Sequence, residues 1–110
     1  GPATPADVQA TLTELTASAC AESASSYQNN SKFLAVCGGG AFNRHLMTRL
    51  QALLPTLQVQ AADAFGLPAL QVEAAAFAWL ARQAVLGLPG NLPMATGAQG
   101  ARVLGCIHPA

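Results

Sequence analysis

A run of consecutive glycines, Gly38–Gly40, most constrains how this chain can fold. It follows a short apolar run, Phe33–Cys37, and precedes a segment from Asn43 to Leu54 whose apolar residues have helical spacing. The apolar run has no polar alternation, which predicts a strand covered on both faces, as in a parallel sheet. The sequence therefore predicts a buried strand, a glycine turn and a helix in direct succession.

Further elements are predicted on both sides of this unit. Thr4, as N-cap, and the following proline and aspartate open a first helix that fades near Ala21, and the polar segment Ser23–Ser31 is a connector. Leu57–Ala61 is a second strand, and Asp63–Pro68 is a loop. The segments that follow are a largely buried helix over Leu70–Leu86 with Gly87 as its C-cap, a loop over Leu88–Gly100, and a short strand over Val103–Ile107.

The order of these elements predicts the fold class. Helices alternate with strands through short connections, which favours parallel pairing with right-handed crossovers. The result is an α/β fold in which helices flank a small parallel sheet with open edges. Such a sheet is incomplete, so its other strands are expected to come from upstream of these residues.

The composition also indicates a part of something larger. Hydrophobic residues make up 52% of the 110 residues, and charged residues only 9%, far below the roughly 25% typical of soluble domains. No stretch reaches the ~18–20 uninterrupted apolar residues that a spanning helix needs, and no signal peptide is visible. On these grounds we expect no membrane as partner. The formal charge is zero and the five basic residues are scattered, so we expect no nucleic acid as partner either.

The cysteines lack the spacing of a metal site. Cys20, Cys37 and Cys106 are read as small buried side chains in a reducing compartment, which implies a cytoplasmic location. No metal ligand is assigned in the chain.

The glycine turn suits a ligand. Without a Cβ atom, Gly39 and its neighbours allow a ligand to approach the backbone, and Asn43 can cap a helix whose first N–H groups are free to bind it. A tight turn without ligand is the plain alternative. A second alternative is a dinucleotide fingerprint in which Asp63 holds a ribose hydroxyl; against it, Asn43 stands where that fingerprint has its third glycine.

Several segments together resemble the C-terminal part of the anhydro-N-acetylmuramic acid kinase family. The resemblance covers almost the whole chain, in order and with compatible spacing. Its segments are FLAVCGGGAFN at Phe33–Asn43, VEAAAFAWLA at Val72–Ala81, the tail GLPGNLPMATGAQGARVLG at Gly87–Gly105, and DVQATLTELTA at Asp7–Ala17.

This resemblance implies a fold and an activity. The family belongs to the actin-like, sugar-kinase and heat-shock-ATPase group, in which two ribonuclease-H-like domains close over ATP. Its members use ATP and Mg²⁺ to hydrolyse the anhydro bridge of 1,6-anhydro-N-acetylmuramic acid and phosphorylate it to N-acetylmuramic acid 6-phosphate, in peptidoglycan recycling in the bacterial cytoplasm. Residues 1–110 would then be a C-terminal fragment of the second domain, and the catalytic N-terminal domain would be absent.

The resemblance also assigns site residues. Gly38, Gly39 and Gly40 match the glycine turn that faces the adenosine, and Asn43, at the head of the next helix, is placed in the same nucleotide site. Glu73 matches a glutamate that reaches the sugar cleft and orients substrate or water; the simpler interpretation is a solvated acid at a helix start. The family's phosphate loop and general-base aspartate have no counterpart, so no catalytic residue is assigned and the fragment alone is expected to be inactive.

Two other functions stay open at this point. One is a non-catalytic nucleotide- or NAD-binding module. The other is a structural half-domain in which the apolar helix around Trp79 forms an interface. The expected partners of the kinase reading are ATP, the anhydro-amino-sugar, the rest of the enzyme chain and a second copy in a homodimer.

Overall fold

The computed structural model describes residues 1–27 and 31–109. They divide into two compact units, Gly1–Val72 and Glu73–Ala110. In chain order the elements are α1 (Pro5–Ser26), β1 (Phe33–Val36), a 3₁₀ turn (Gly39–Phe42), α2 (Arg44–Leu53), β2 (Gln58–Ala61), a second 3₁₀ turn (Ala62–Phe65), α3 (Val72–Val85) and α4 (Pro93–Thr96).

Helix α1 begins as the sequence predicts but ends later. The Asp7 backbone N–H donates to Thr4 Oγ1 (3.2 Å), and the Thr4 N–H donates to Asp7 Oδ2 (2.9 Å), which completes a capping box. The predicted end near Ala21 is wrong, since the helix continues to Ser26. Packing explains the extension, because Ala24 lies against the hydrophobic core. The predicted connector is correspondingly shorter, and residues 28–30 of it lie outside the described residues.

The two strands pair in parallel, as predicted. Phe33 lies opposite Gln58 and Val36 opposite Ala61, and the described residues form a two-stranded sheet. The prediction that β1 is covered on both faces is wrong for this chain. Leu34 packs against the core. Phe33, on the other face, is 50% exposed, and its ring meets that of Phe65 edge to face with centroids 5.7 Å apart.

The core of the first unit lies between the sheet and helices α1 and α2. Ala21, Leu54 and Leu57 form its buried centre, and Leu54 is 1% exposed. Helix α2 matches its predicted bounds closely. An ion pair joins it to α1, because Arg49 donates two hydrogen bonds to Glu14, from Nε at 2.6 Å and from Nη2 at 2.9 Å.

The second unit consists of α3, α4 and the tail. The prediction that the helix over Leu70–Leu86 is largely buried is wrong here, because α3 has no buried residue. Gly87 follows it with φ of +64°, as its predicted C-cap role requires. The loop predicted over Leu88–Gly100 contains α4, and the strand predicted over Val103–Ile107 is not formed.

The cysteine prediction is also wrong. Cys20, Cys37 and Cys106 are all exposed thiols. Like the exposed faces of β1 and α3, they lie on surface that the described residues leave uncovered. Among the described residues, no helix has both the length and the apolar character needed to cross a membrane.

Candidate functional site

The glycine turn stands open at the carboxyl end of β1. Gly38 has φ of +75° and ψ of −173°, a backbone region that is essentially restricted to glycine. A Cβ atom added to Gly38 or Gly39 would meet no atom within 4 Å, whereas one on Gly40 would lie 3.3 Å from Leu46 Cδ2. The outer side of the turn is therefore bare backbone facing open space, and none of the chain's described side chains fills it.

Backbone amides are available along this turn. The first N–H groups of a helical turn have no partner inside it. Gly39 and Gly40 hold those positions in the 3₁₀ turn, and Arg44 and His45 hold them in α2. Helix α2 also has the positive end of its dipole here. The site thus offers hydrogen-bond donors and a partial positive charge, which suits a polar or anionic ligand.

Asn43 fixes the direction of the second set of amides. Its Oδ1 accepts a hydrogen bond from the Leu46 N–H at 3.1 Å, and its own N–H donates to the Gly40 carbonyl at 3.0 Å. The predicted capping role of Asn43 is confirmed. Since Oδ1 is engaged in the cap, a ligand would meet the Nδ2 amide of this side chain.

A backbone contact that the sequence did not reveal anchors the turn. The Gly38 N–H donates to the Ala69 carbonyl at 2.8 Å, and the Ala69 N–H in turn donates to Asp63 Oδ2 at 3.1 Å. Asp63 therefore caps the following loop, and this engagement weakens the dinucleotide alternative. The sequence gives no signal for this role of Ala69, because only its backbone carbonyl and N–H make the contacts.

A mostly apolar cavity of about 310 Å³ adjoins the turn. Its wall includes Cys37 and Gly40 from the turn, Val36 from β1, Leu46 from α2 and Cys20 from α1. Gly40 is the residue with a free amide that this cavity shares with the turn, and an apolar cleft beside such a donor has the character of small-molecule sites in general.

The ion pair between Glu14 and Arg49 supports α2 from behind. The hydrogen bonds from Arg49 lower the pKa of Glu14, and the same bonds raise the pKa of Arg49. Both groups are therefore charged at neutral pH. Because each neutralises the other, the pair adds little net field at the turn.

Glu73 belongs to the second unit. It is exposed in the first turn of α3. Among the described residues, the only salt bridge is that between Arg49 and Glu14, so Glu73 has no salt-bridge partner within them. Its position is compatible with both interpretations given above, a solvated acid at a helix start and a side chain that contacts the sugar.

Asn91 has a structural part larger than turn formation. Its Oδ1 accepts from the Arg102 N–H at 2.7 Å, and its Nδ2 donates to the Gly100 carbonyl at 3.0 Å. The side chain thereby closes the loop that contains α4. The only sequence signal for this was an Asn between glycine and proline residues, which is typical of turns in general.

These features define the class of the protein. A parallel strand, an open glycine turn at its carboxyl end and a capped helix form the ligand-facing edge of an α/β protein. The family pattern described as anhydro-N-acetylmuramic acid kinase matches residues 2–110. The chain belongs to this family.

Individual relatives support membership of the same family. The anhydro-N-acetylmuramic acid kinase of Albidiferax ferrireducens is 64% identical over 106 residues, which cover 96% of this chain and 27% of that protein. Those of Variovorax paradoxus and Cupriavidus pinatubonensis are 62% and 56% identical, over 98% and 99% of this chain and 29% of each relative. The chain thus spans less than a third of the length of these curated relatives.

Proposed function

We propose that this chain is the C-terminal portion of an ATP-dependent kinase that acts on 1,6-anhydro-N-acetylmuramic acid. Membership of a family of kinases implies the use of ATP. In the proposed reaction the oxygen of water bonds to C1 of the sugar, the water gives up a proton to a base in the remaining portion of the kinase, and the C1–O6 bond breaks. The freed O6 takes the γ-phosphoryl group of ATP, and ADP leaves. The product is N-acetylmuramic acid 6-phosphate.

The open turn is the observation that carries the nucleotide part of this proposal. The space beside Gly38 and Gly39 would be filled by any side chain at those positions, so bare backbone there suits close approach of an adenosine. The amides of Gly39 and Gly40 and the Asn43 side-chain amide would donate hydrogen bonds to it. ATP supplies the phosphoryl group, and these residues bind and orient the nucleotide.

Glu73 is proposed to line the sugar side of the active site. An exposed carboxylate without an ion-pair partner in the described ranges is free to accept hydrogen bonds from sugar hydroxyls or from the attacking water. We assign to this side chain the orientation of the substrate or of the water.

Mg²⁺ accompanies ATP in phosphoryl transfer. The described residues contain no group of three His, Cys, Asp or Glu side chains arranged to hold a metal ion. No metal ligand is therefore assigned within residues 1–27 and 31–109. Location in the bacterial cytoplasm and assembly into a homodimer remain predictions.

The nucleotide part is tested by Gly39→Ala in a full-length kinase that contains these residues. The backbone of Gly39 lies outside the left-handed region and its surroundings are open, so the added methyl group should leave folding unchanged. We expect the KM for ATP to rise about tenfold or more, equivalent to roughly 1.4 kcal/mol, because the methyl group would occupy the space in which the adenosine approaches the backbone. Thr56→Ala, an exposed change before β2 at the other end of the sheet, serves as control. An unchanged KM for ATP in Gly39→Ala would refute the assignment.

The sugar part is tested by Glu73→Gln, with Glu22→Gln on the exposed surface of α1 as a matched control. Loss of the charged hydrogen-bond acceptor should reduce kcat/KM for the anhydro-sugar about 10–100-fold with little change in the KM for ATP. Equal activities of the two variants would show that Glu73 is only a helix-start acid.

A further inference from the structure

We infer that the apolar groove of the second unit is an internal contact surface, covered by the part of the kinase chain that lies outside these 110 residues. The groove has a volume of about 420 Å³ and runs between α3 and the tail. Phe77, Leu80 and Ala84 line it from α3, and Leu104 and Cys106 line it from the tail. The inference rests on the proposed function, because it assumes the longer kinase chain.

The groove is built by specific contacts of its own unit. The Gly90 N–H donates to the Arg102 carbonyl at 2.9 Å. The neighbouring Asn91 side chain accepts a hydrogen bond from the N–H of the same Arg102. A Cβ atom at Gly90 would lie 3.1 Å from Leu80 Cδ2 and 3.3 Å from Leu104 Cγ. The absence of a side chain at Gly90 thus lets both leucines pack closely against its backbone.

The groove and its surroundings expose large apolar side chains to an unusual degree. Phe77 is 64% exposed, Val85 73% and Ile107 69%. No residue of α3 is buried, although Glu73 and Arg82, in its first and last turns, are its only charged residues. Contiguous apolar surface of this kind marks a site of interaction.

The occupant follows from chain length and chemistry. Relatives that match nearly all of this chain are more than three times as long, since the chain covers 27–29% of them. Among the described residues, those that line the groove carry no charge, and burying an unpaired charge there would be unfavourable. We therefore assign as occupant an apolar helix or strand face from the remaining portion of the same kinase.

Cys106 is a reporter placed in the groove wall. The test uses the full-length kinase with all cysteines other than Cys106 replaced by serine, and measures its reaction rate with a disulfide reagent that releases a coloured thiolate. We expect native protein to react about 100-fold or more slowly than the same protein unfolded in urea, because a covered thiol reacts only through local opening. A native rate within a few-fold of the unfolded rate would overturn the inference.

A pair of charge insertions provides a second, independent measurement. Ala81 lies in the groove wall. Ala75 precedes Arg82 by seven residues, so the two lie on the same face of α3. Ala75 and Ala81 are both exposed in the described chain. In the full-length kinase, Ala81→Glu should lower the Tm and the soluble yield, whereas Ala75→Glu should change both much less. Equal behaviour of the two variants would contradict the inference.

Two controls separate the alternatives. If protection of Cys106 falls on dilution across the monomer–dimer range, a second copy covers the groove and the inference is wrong. Kinase turnover is measured separately on the unmodified protein. Protection of Cys106 in a protein without turnover would sink the proposed function alone, whereas turnover with a freely reactive Cys106 would sink the groove inference alone.

Discussion

The backbone of Gly38 gives the sharpest prediction about stability. Its φ of +75° with ψ of −173° lies where residues with a Cβ atom are strained by about 1–3 kcal/mol. Gly38→Ala meets no neighbouring atom within 4 Å, so the whole effect comes from the backbone. At roughly 2–4 °C per kcal/mol for a domain of moderate size, the Tm should fall by about 2–12 °C.

Gly39→Ala is the matched comparison for this measurement. It adds the same methyl group one residue away, also into open space, but without a positive φ. Its effect should be neutral or stabilising by up to about 1 kcal/mol, because alanine restricts the unfolded chain more than glycine does. Thermal unfolding of both full-length variants, followed by circular dichroism, decides the matter. If Gly38→Ala melts at the same temperature as Gly39→Ala, the described turn conformation is wrong.

Other changes in the first unit have defined outcomes. Asn43→Ala removes the cap on the Leu46 N–H and should destabilise by about 1 kcal/mol, with Asn43→Asp retaining most of the stability in chemical denaturation. Leu54→Ala empties a side-chain position that is 1% exposed and should destabilise by about 2–5 kcal/mol; a loss below 1 kcal/mol in the same assay would contradict its place in the core. The pKa of Glu14 is lowered in the folded state by Arg49, so the pair stabilises above the ordinary glutamate pKa and loses this effect as pH falls through the lowered value. The Tm difference between wild type and Glu14→Gln should therefore shrink on acidification, and a difference independent of pH would refute the pairing.

Local signals in the sequence predicted the elements around the turn well. The N-cap at Thr4, the parallel pairing of the two strands and the cap at Asn43 all depend on residues close together in the chain or on simple patterning. Such features are decided by short-range chemistry, which a single sequence displays directly.

Predictions of burial failed for a different reason. The apolar character of β1 and of α3 correctly marked segments suited to a covered environment, yet Phe33 and Phe77 are exposed and all three cysteines are too. Hydrophobicity shows that a surface favours burial, but the cover must be present for burial to occur. The Ala69 carbonyl contact was missed because it joins two main-chain groups. The hydrogen bonds of the Asn91 side chain were missed because its partners are main-chain groups of Gly100 and Arg102, which no side-chain pattern reveals.

The most direct test of the account asks whether adenosine meets the bare backbone of the turn. Glycine-selective ¹⁵N labelling of the full-length kinase allows the amide signals of Gly38, Gly39 and Gly40 to be followed while a non-hydrolysable ATP analogue is added. We predict saturable shifts at these amides, with Gly97 after α4 as an internal reference that shifts much less. Saturable binding of the analogue that leaves all three turn amides unshifted would contradict the nucleotide site proposed here.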